Sequence, residues 1–182
     1  ILNGQLYCGS LAAAGNLGHT VVDREGPECS CGNRGCLESL VSGPSVRRRA
    51  IELVSEGAKT SLVDRAGGDS TKIDAALVFE AARAGDDVGR RIVSEVAWNM
   101  GRGIANVVNL LAPEIVIIGG GLASAGEILF APLVASVENH SCVFRYGKID
   151  IIPAQLGNDA GLIGAAQLVW QFAGGEARKG TG

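Results

Sequence analysis

The clearest periodic stretch in the chain is 87–111, where Val88, Ile92, Val96, Met100, Ile104, Val107, Val108 and Leu111 recur at spacings of three and four. That repeat keeps apolar side chains on one side of a 3.6-residue turn and predicts a long amphipathic helix, closed by Pro113. Directly after it, Glu114-Ile115-Val116-Ile117-Ile118 runs without alternation and stops on Gly119-Gly120-Gly121. A short continuous apolar run ending on glycines reads as a buried central strand whose C-terminal end meets a loop. Shorter helical patterns cover 44–55, with Val46, Ala50, Ile51, Leu53 and Val54 on one face, and the segment after Asp74, a capping carboxylate for Ala75, Leu77, Val78, Ala81 and Ala82. A helix over 126–139, a strand over 149–153 and a helix over 160–172 complete the order. Strands and helices alternate in this half, which makes the chain an α/β domain.

The N-terminal part follows other patterns. Residues 1–7 set apolar side chains around Asn3-Gly4, a strong hairpin signal, and His19-Thr20-Val21-Val22-Asp23 reads as a second strand. At the other end, 174–182 is polar and expected to fray, leaving one domain over 1–173. The 182 residues are 47% hydrophobic but only 4% aromatic, so the core must be aliphatic. A net charge of -3 gives no reason to expect a nucleic-acid surface, and the basic run Arg47-Arg48-Arg49 reads as a solvated helix face. No apolar run approaches the ~18 residues of a membrane span; the most hydrophobic region, 115–137, is broken by glycines, a proline and Glu127. The start lacks the basic and apolar parts of a signal peptide, does not begin with Met and opens as if in mid-strand. A piece of a longer protein is therefore expected. Five cysteines, an odd number at low density, point to a reducing cytoplasm rather than a disulfide scaffold.

Three of those cysteines, Cys29, Cys31 and Cys36, fall in the stretch GHTVVDREGPECSCGNRGCLES, with His19 upstream and Glu38 just downstream. Cys29 and Cys31 are too close to bridge comfortably, and a third disulfide partner would have to be Cys8 or Cys142. A redox pair would prefer Cys-x-x-Cys at a helix start. Three thiolates plus an imidazole form a standard closed zinc set, and Gly32 and Gly35 allow the tight turns such a loop needs. The residue types favour zinc over the other two readings. A closed set leaves no water on the metal, so the ion would pin the loop rather than catalyse. Glu38 suits a helix start on its own account, but with His19 it forms a polar pair that could grip hydroxyls.

The pattern Gly18-His19, Cys29-x-Cys31-Gly32-x-x-Gly35-Cys36-Leu37-Glu38, Ser42-Gly43 resembles the signature of the ROK family of bacterial sugar kinases and sugar-responsive repressors. The likeness continues through PEIVIIGGG, 113–121, and LGNDAGLIGAA, 156–166, the latter most like the glucokinase branch. The resemblance implies an actin-like ATPase (ribonuclease H-like) fold, of which this chain would be the C-terminal domain with a zinc-clipped loop. It implies a structural zinc on His19, Cys29, Cys31 and Cys36, and a hexose held by His19 and Glu38. Gly119, Gly120 and Gly121 would let the backbone approach the adenosine of Mg-ATP. The implied activity is ATP-dependent phosphorylation of a glucose-like hexose in a cytoplasmic homodimer or larger assembly. The alternative is the sensing domain of a repressor, and only that one brings a nucleic-acid partner. The base of these kinases is an aspartate of the N-terminal domain, so no catalytic residue is expected here; Asp159 matches a helix start, where a cap suffices. One departure stands out. The family has glutamate three residues before the histidine, and here Asn16 takes that place as a third sugar-binding residue, still able to bond a hydroxyl but uncharged and able to donate.

Overall fold

The structure, a computed structural model, describes residues 1–177, with side chains for 1–157 and 159–170. Helices α1 (Leu37–Val41), α2 (Gly43–Ser55), α3 (Leu62–Arg65) and α4 (Ala75–Arg83) lead into the long α5 (Asp87–Leu111). Strand β1 (Ile115–Ile118), α6 (Glu127–His140), β2 (Asp150–Pro153) and α7 (Ala160–Ala177) follow. The strands pair in parallel, Ile115 opposite Asp150 through Ile118 opposite Pro153. The α/β reading holds, and α5, α6, β1 and β2 fall where the periodicity places them. The last helix extends past Phe172 through the residues expected to begin a frayed tail, and 178–182 lie outside the described residues.

The core is aliphatic and centred on α5, whose Ile92, Val93, Val96, Ala97, Ile104, Ala105 and Val108 are buried. Two glycines let neighbouring helices press against it. A Cβ at residue 101 would overlap the Ser136 side chain of α6, and one at 103 would lie 2.5 Å from Leu37 Cδ2 of α1. Glycine inside a helix is unfavourable by itself; here it admits two helices closer than any side chain would allow.

Asp86 ties the start of this helix down. Its carboxylate accepts from the Gly89 and Ser61 N–H groups at 2.9 and 2.6 Å and from the hydroxyls of Ser61 and Thr60. Burial works against its charge, but those donors outweigh it and hold Asp86 below the usual carboxylate range. A depressed native value adds stability above the unfolded pKa, about 3.9, that is lost as pH falls through the lower native value. Asp86→Asn keeps a capping oxygen but loses the charge on these bonds, so it should cost about 1 kcal/mol at pH 7, and the gap to wild type should close as denaturation is repeated at increasingly acid pH. A gap that persists in acid would exclude the carboxylate charge as its source.

Three expectations need correction. His19–Asp23 is not a strand: Leu17–His19 is a 3-10 turn, closed by Thr20 N and Oγ1 on the Leu17 carbonyl, and only the Val21–Cys36 bridge is sheet-like. β1 is not buried on both faces, because Ile115 and Ile117 are 44% and 59% exposed with no further strand beside them among the described residues. Arg47–Arg49 is more than a solvated face: Arg47 donates to the Ile73 and Thr71 carbonyls, Arg48 to that of Ser39, and Arg49 grips Glu95 with two nitrogens. The hairpin at the start is reduced to one bridge, Leu2 to Gln5, turning on Asn3 and Gly4, both at positive φ. Among the described residues no helix is long and apolar enough to cross a membrane.

Candidate functional site

The four metal-type residues come from three short segments that lean on one another through backbone hydrogen bonds. Val22 N and Asp23 N both donate to the Gly35 carbonyl, and Leu37 N donates to Thr20 O, so 20–23 and 35–37 run side by side. Between them Cys29 N bonds Asn33 O at 2.8 Å and Gly32 N bonds Cys29 O at 3.0 Å, forming the knuckle that carries Cys29 and Cys31. The crossing is tight enough that Gly35, at φ 72°, packs its Cα directly on the Asp23 carbonyl, where no side chain fits.

This folding gathers one ligand atom from each of His19, Cys29, Cys31 and Cys36 within 4.8 Å of one another. Cys29 Sγ stands 3.6 Å from His19 Nδ1, and Cys31 Sγ 3.6 Å from Cys36 Sγ. A tetrahedral zinc with ordinary Zn–S and Zn–N bonds separates its donors by about 3.5–3.8 Å. The cluster therefore fits such an ion in both donor type and spacing. Burial and the neighbouring thiols push the Cys36 thiol up to about 12, whereas the Asn33 amide holds Cys31 below the ordinary thiol value. Thiols packed in this way resist ionising together, and a dication in their midst removes that difficulty.

Glu38 occupies the first turn of α1, two residues after the last ligand. Its Cβ and Oε2 both lie 3.3 Å from where a Cβ on Gly18 would sit, which places the carboxylate over the residue next to His19. It is held from behind as well: the Glu38 carbonyl accepts from Ser42 N and Ser45 Oγ, each at 3.1 Å, and Leu37 is wedged on Gly103. No protein group among the described residues bonds the carboxylate. Asn16 is placed otherwise. Exposed at the start of the 3-10 turn, it donates its amide to Ala13 O at 3.0 Å.

Gly119, Gly120 and Gly121 carry the chain off the end of β1, with Gly120 at φ 80°. Gly121 borders a cleft of about 540 Å³ lined also by Leu122, Ser124, Gly43 and the α4 residues Ala75, Phe79, Glu80 and Arg83. Arg83 donates to the Ser124 and Ala125 carbonyls and so fixes the loop to α4. The sequence reading missed the α4 side of this cleft. Its one available signal was that Glu80 and Arg83 stand three residues apart on a helix, opposite the buried Val78, Ala81 and Ala82. A depression of similar size on α2 is lined by that helix alone, from Pro44 to Glu56, and brings no groups together from separate elements.

A profile of the ROK family matches residues 1–171. The chain belongs to the ROK family. This ROK chain is 39% identical over 178 residues to a glucokinase of Thermotoga maritima, covering 96% of the chain and 55% of that protein. It is 31% identical over 169 residues to a xylose repressor of Caldicellulosiruptor bescii, covering 93% of the chain and 42% of the repressor. A ROK family glucokinase from Streptomyces griseus, solved in complex with glucose and AMPPNP, superposes with a TM-score of 0.81 at 32% identity over 90% of the chain and 54% of that structure. The fold is the actin-like ATPase fold of the ROK sugar kinases, and the likeness lies with the glucokinase-like branch. The chain spans about half the length of the glucokinases it matches.

Proposed function

We propose that this chain is the C-terminal, sugar- and nucleotide-holding part of an ATP-dependent ROK hexose kinase acting on glucose or a close relative. The observation that carries the reading is the pairing of Glu38 with His19 beside the cysteine cluster. With Nδ1 turned to the cluster, a metal-held His19 carries its remaining proton on Nε2 and presents a donor, while Glu38 presents only acceptors. One acceptor and one donor at adjacent positions match the two ways a sugar hydroxyl bonds. Zinc, when bound, fixes the imidazole and its tautomer; His19, Glu38 and their supporting shell then orient the ring.

The cleft between Gly121 and α4 is the proposed seat of the adenosine. Phe79, Leu122 and Ala75 offer it an apolar wall, and Glu80 and Ser124 offer polar edges suited to a ribose. Only four residues separate Glu38 from Gly43 on the cleft rim, so sugar and nucleotide would be held by one continuous piece of chain. Phosphoryl transfer of this kind depends mainly on positioning and charge stabilisation. The reading assigns this chain no base, and Asp159, in a 3-10 turn just before α7, is not given that role.

The likeness to a xylose repressor supports a second reading, a sugar sensor without turnover. A coupled ADP-release assay of the full-length protein with Mg-ATP and a panel of hexoses separates the two. Turnover with a glucose-like sugar is expected; sugar binding without turnover would sink the kinase. In the same assay Asn16→Glu should lower the sugar KM about tenfold by adding a charge-assisted bond. An unchanged KM would remove Asn16 from the sugar site.

A further inference from the structure

We propose that the cysteine clip is a latch released by oxidation: hydrogen peroxide reaches Cys31 first, and Cys36 completes the disulfide that expels the metal. The proposal rests on the metal reading of His19, Cys29, Cys31 and Cys36 and adds regulation to it. Within the set, the sulfurs differ sharply in access. Cys29 and Cys36 are 8% and 0% exposed, whereas Cys31 is open to solvent. Their spacing also selects a partner. Cys31 Sγ lies 3.6 Å from Cys36 Sγ, and closing to a disulfide bond length requires about 1.5 Å of movement. Gly32 and Gly35 stand between the two, so the connecting loop is well suited to contract. Cys29, one residue from Cys31, would close a far smaller ring, and its sulfur faces His19. The other exposed thiols are placed differently: Cys8 contacts the Leu6 carbonyl and Cys142 the Asn109 side chain.

The chemistry balances. The Cys31 thiolate attacks one peroxide oxygen; the O–O bond breaks, a sulfenic acid forms, and the departing hydroxide takes up a proton and leaves as water. The Cys36 thiolate then displaces the hydroxyl from that sulfur, the S–S bond forms, and a second proton carries the hydroxyl away as water. Two thiolates have lost two electrons to the peroxide. His19 and Cys29 remain as the ion's protein ligands, too few to hold it in a closed site. The consequence is lopsided. His19 loses its anchor and Glu38, two residues past the new bond, loses its register, while the cleft formed by α4 and 121–124 contains no clip residue. Oxidation should therefore abolish sugar binding and spare nucleotide binding.

The test treats the full-length, zinc-loaded protein with equimolar hydrogen peroxide. A chromogenic chelator follows released zinc, peptide mass mapping locates the bond, and calorimetry reads glucose and ADP binding. We expect about one zinc per chain, released in step with a Cys31–Cys36 disulfide, glucose binding lost, ADP binding kept, and recovery with a dithiol plus zinc. Cys31→His, which keeps a four-ligand nitrogen and sulfur set, should hold its zinc against the same treatment. Zinc retained while Cys8 and Cys142 oxidise overturns the latch, as does a disulfide between another pair or equally fast release from Cys31→His. A purified protein without zinc overturns the metal reading itself, and the latch with it, whereas ADP-release turnover in that protein would leave the kinase reading standing.

Discussion

Cys36→Ser should empty the proposed clip and sharply weaken the proposed sugar binding while the helical core stays folded. Cys36 is the most deeply placed ligand, at 0% exposure, with its sulfur 3.6 Å from Cys31 Sγ and 3.5 Å from the His19 carbonyl. Serine at that position offers a hydroxyl that zinc does not favour. Structural zinc contributes on the order of 10–16 kcal/mol in small peptides, and little else holds this loop. Between Asp23 and Arg34 it supplies no large aliphatic side chain to the core. The loss should reach Glu38 and His19 together. One charge-assisted bond from Glu38 at about 1.5–3 kcal/mol and one neutral bond from His19 at about 0.5–1.5 kcal/mol correspond to a sugar affinity at least ~30-fold weaker. Metal analysis, calorimetry with glucose and far-ultraviolet dichroism on the full-length protein check the three parts. Retained sugar affinity in protein shown to lack zinc would mean that the clip does not position the site. Cys8→Ser is the control, expected to change neither.

Gly101→Val should be the most destabilising single change in the helical core. A Cβ there overlaps the buried Ser136 side chain and comes within 3.1 Å of its backbone carbonyl carbon, so no rotamer of residue 136 relieves the overlap. Ser136 also donates to the Trp98 carbonyl of α5 at 2.9 Å, a bond that separation of the helices would break. Overpacking against backbone, with this loss added, costs about 3 kcal/mol or more, or roughly 6–12 °C in Tm for a domain of this size. Trp98, edge-on to His140 with ring centroids 4.5 Å apart, sits at the same junction, and its emission should shift. Gly161→Ala on α7, where an added Cβ meets nothing within 4 Å, should be neutral or slightly stabilising. Equal melting of the two variants would refute the close approach of α5 and α6.

Elements whose character is set by their own residues were readable from sequence. α5 and β2 declare themselves by periodicity and composition, and the histidine and three cysteines declare the clip because so few residue types bind soft metals. The misreadings share a different cause. His19-Thr20-Val21-Val22-Asp23 carries the β-branched residues of a strand, but Thr20 has a carbonyl three residues back within reach of both its amide and its hydroxyl, and the local turn wins. The three arginines of α2 look solvated until the Ser39, Thr71 and Ile73 carbonyls and Glu95 are brought to them from distant parts of the chain. Glu80 and Arg83 are ordinary surface residues in a one-dimensional reading. They line a cleft only because the loop after β1 comes to rest on α4.

The open flank of β1 bears on how the molecule must be handled. Among the described residues β1 has one hydrogen-bonded neighbour, which leaves a row of its amides and carbonyls free, and Ile115 and Ile117 stand exposed beside them. Flat apolar edges of this sort are templates for pairing between copies. Further apolar side chains stand exposed on α7, where Leu162, Val169 and Trp170 are 75%, 68% and 78% exposed. In concentrated preparations of this chain, colloidal behaviour would be governed by this flank rather than by the clip or the cleft. Low protein concentration and a solubilising partner fused away from β1 are the conditions under which its ligand chemistry could be read without interference.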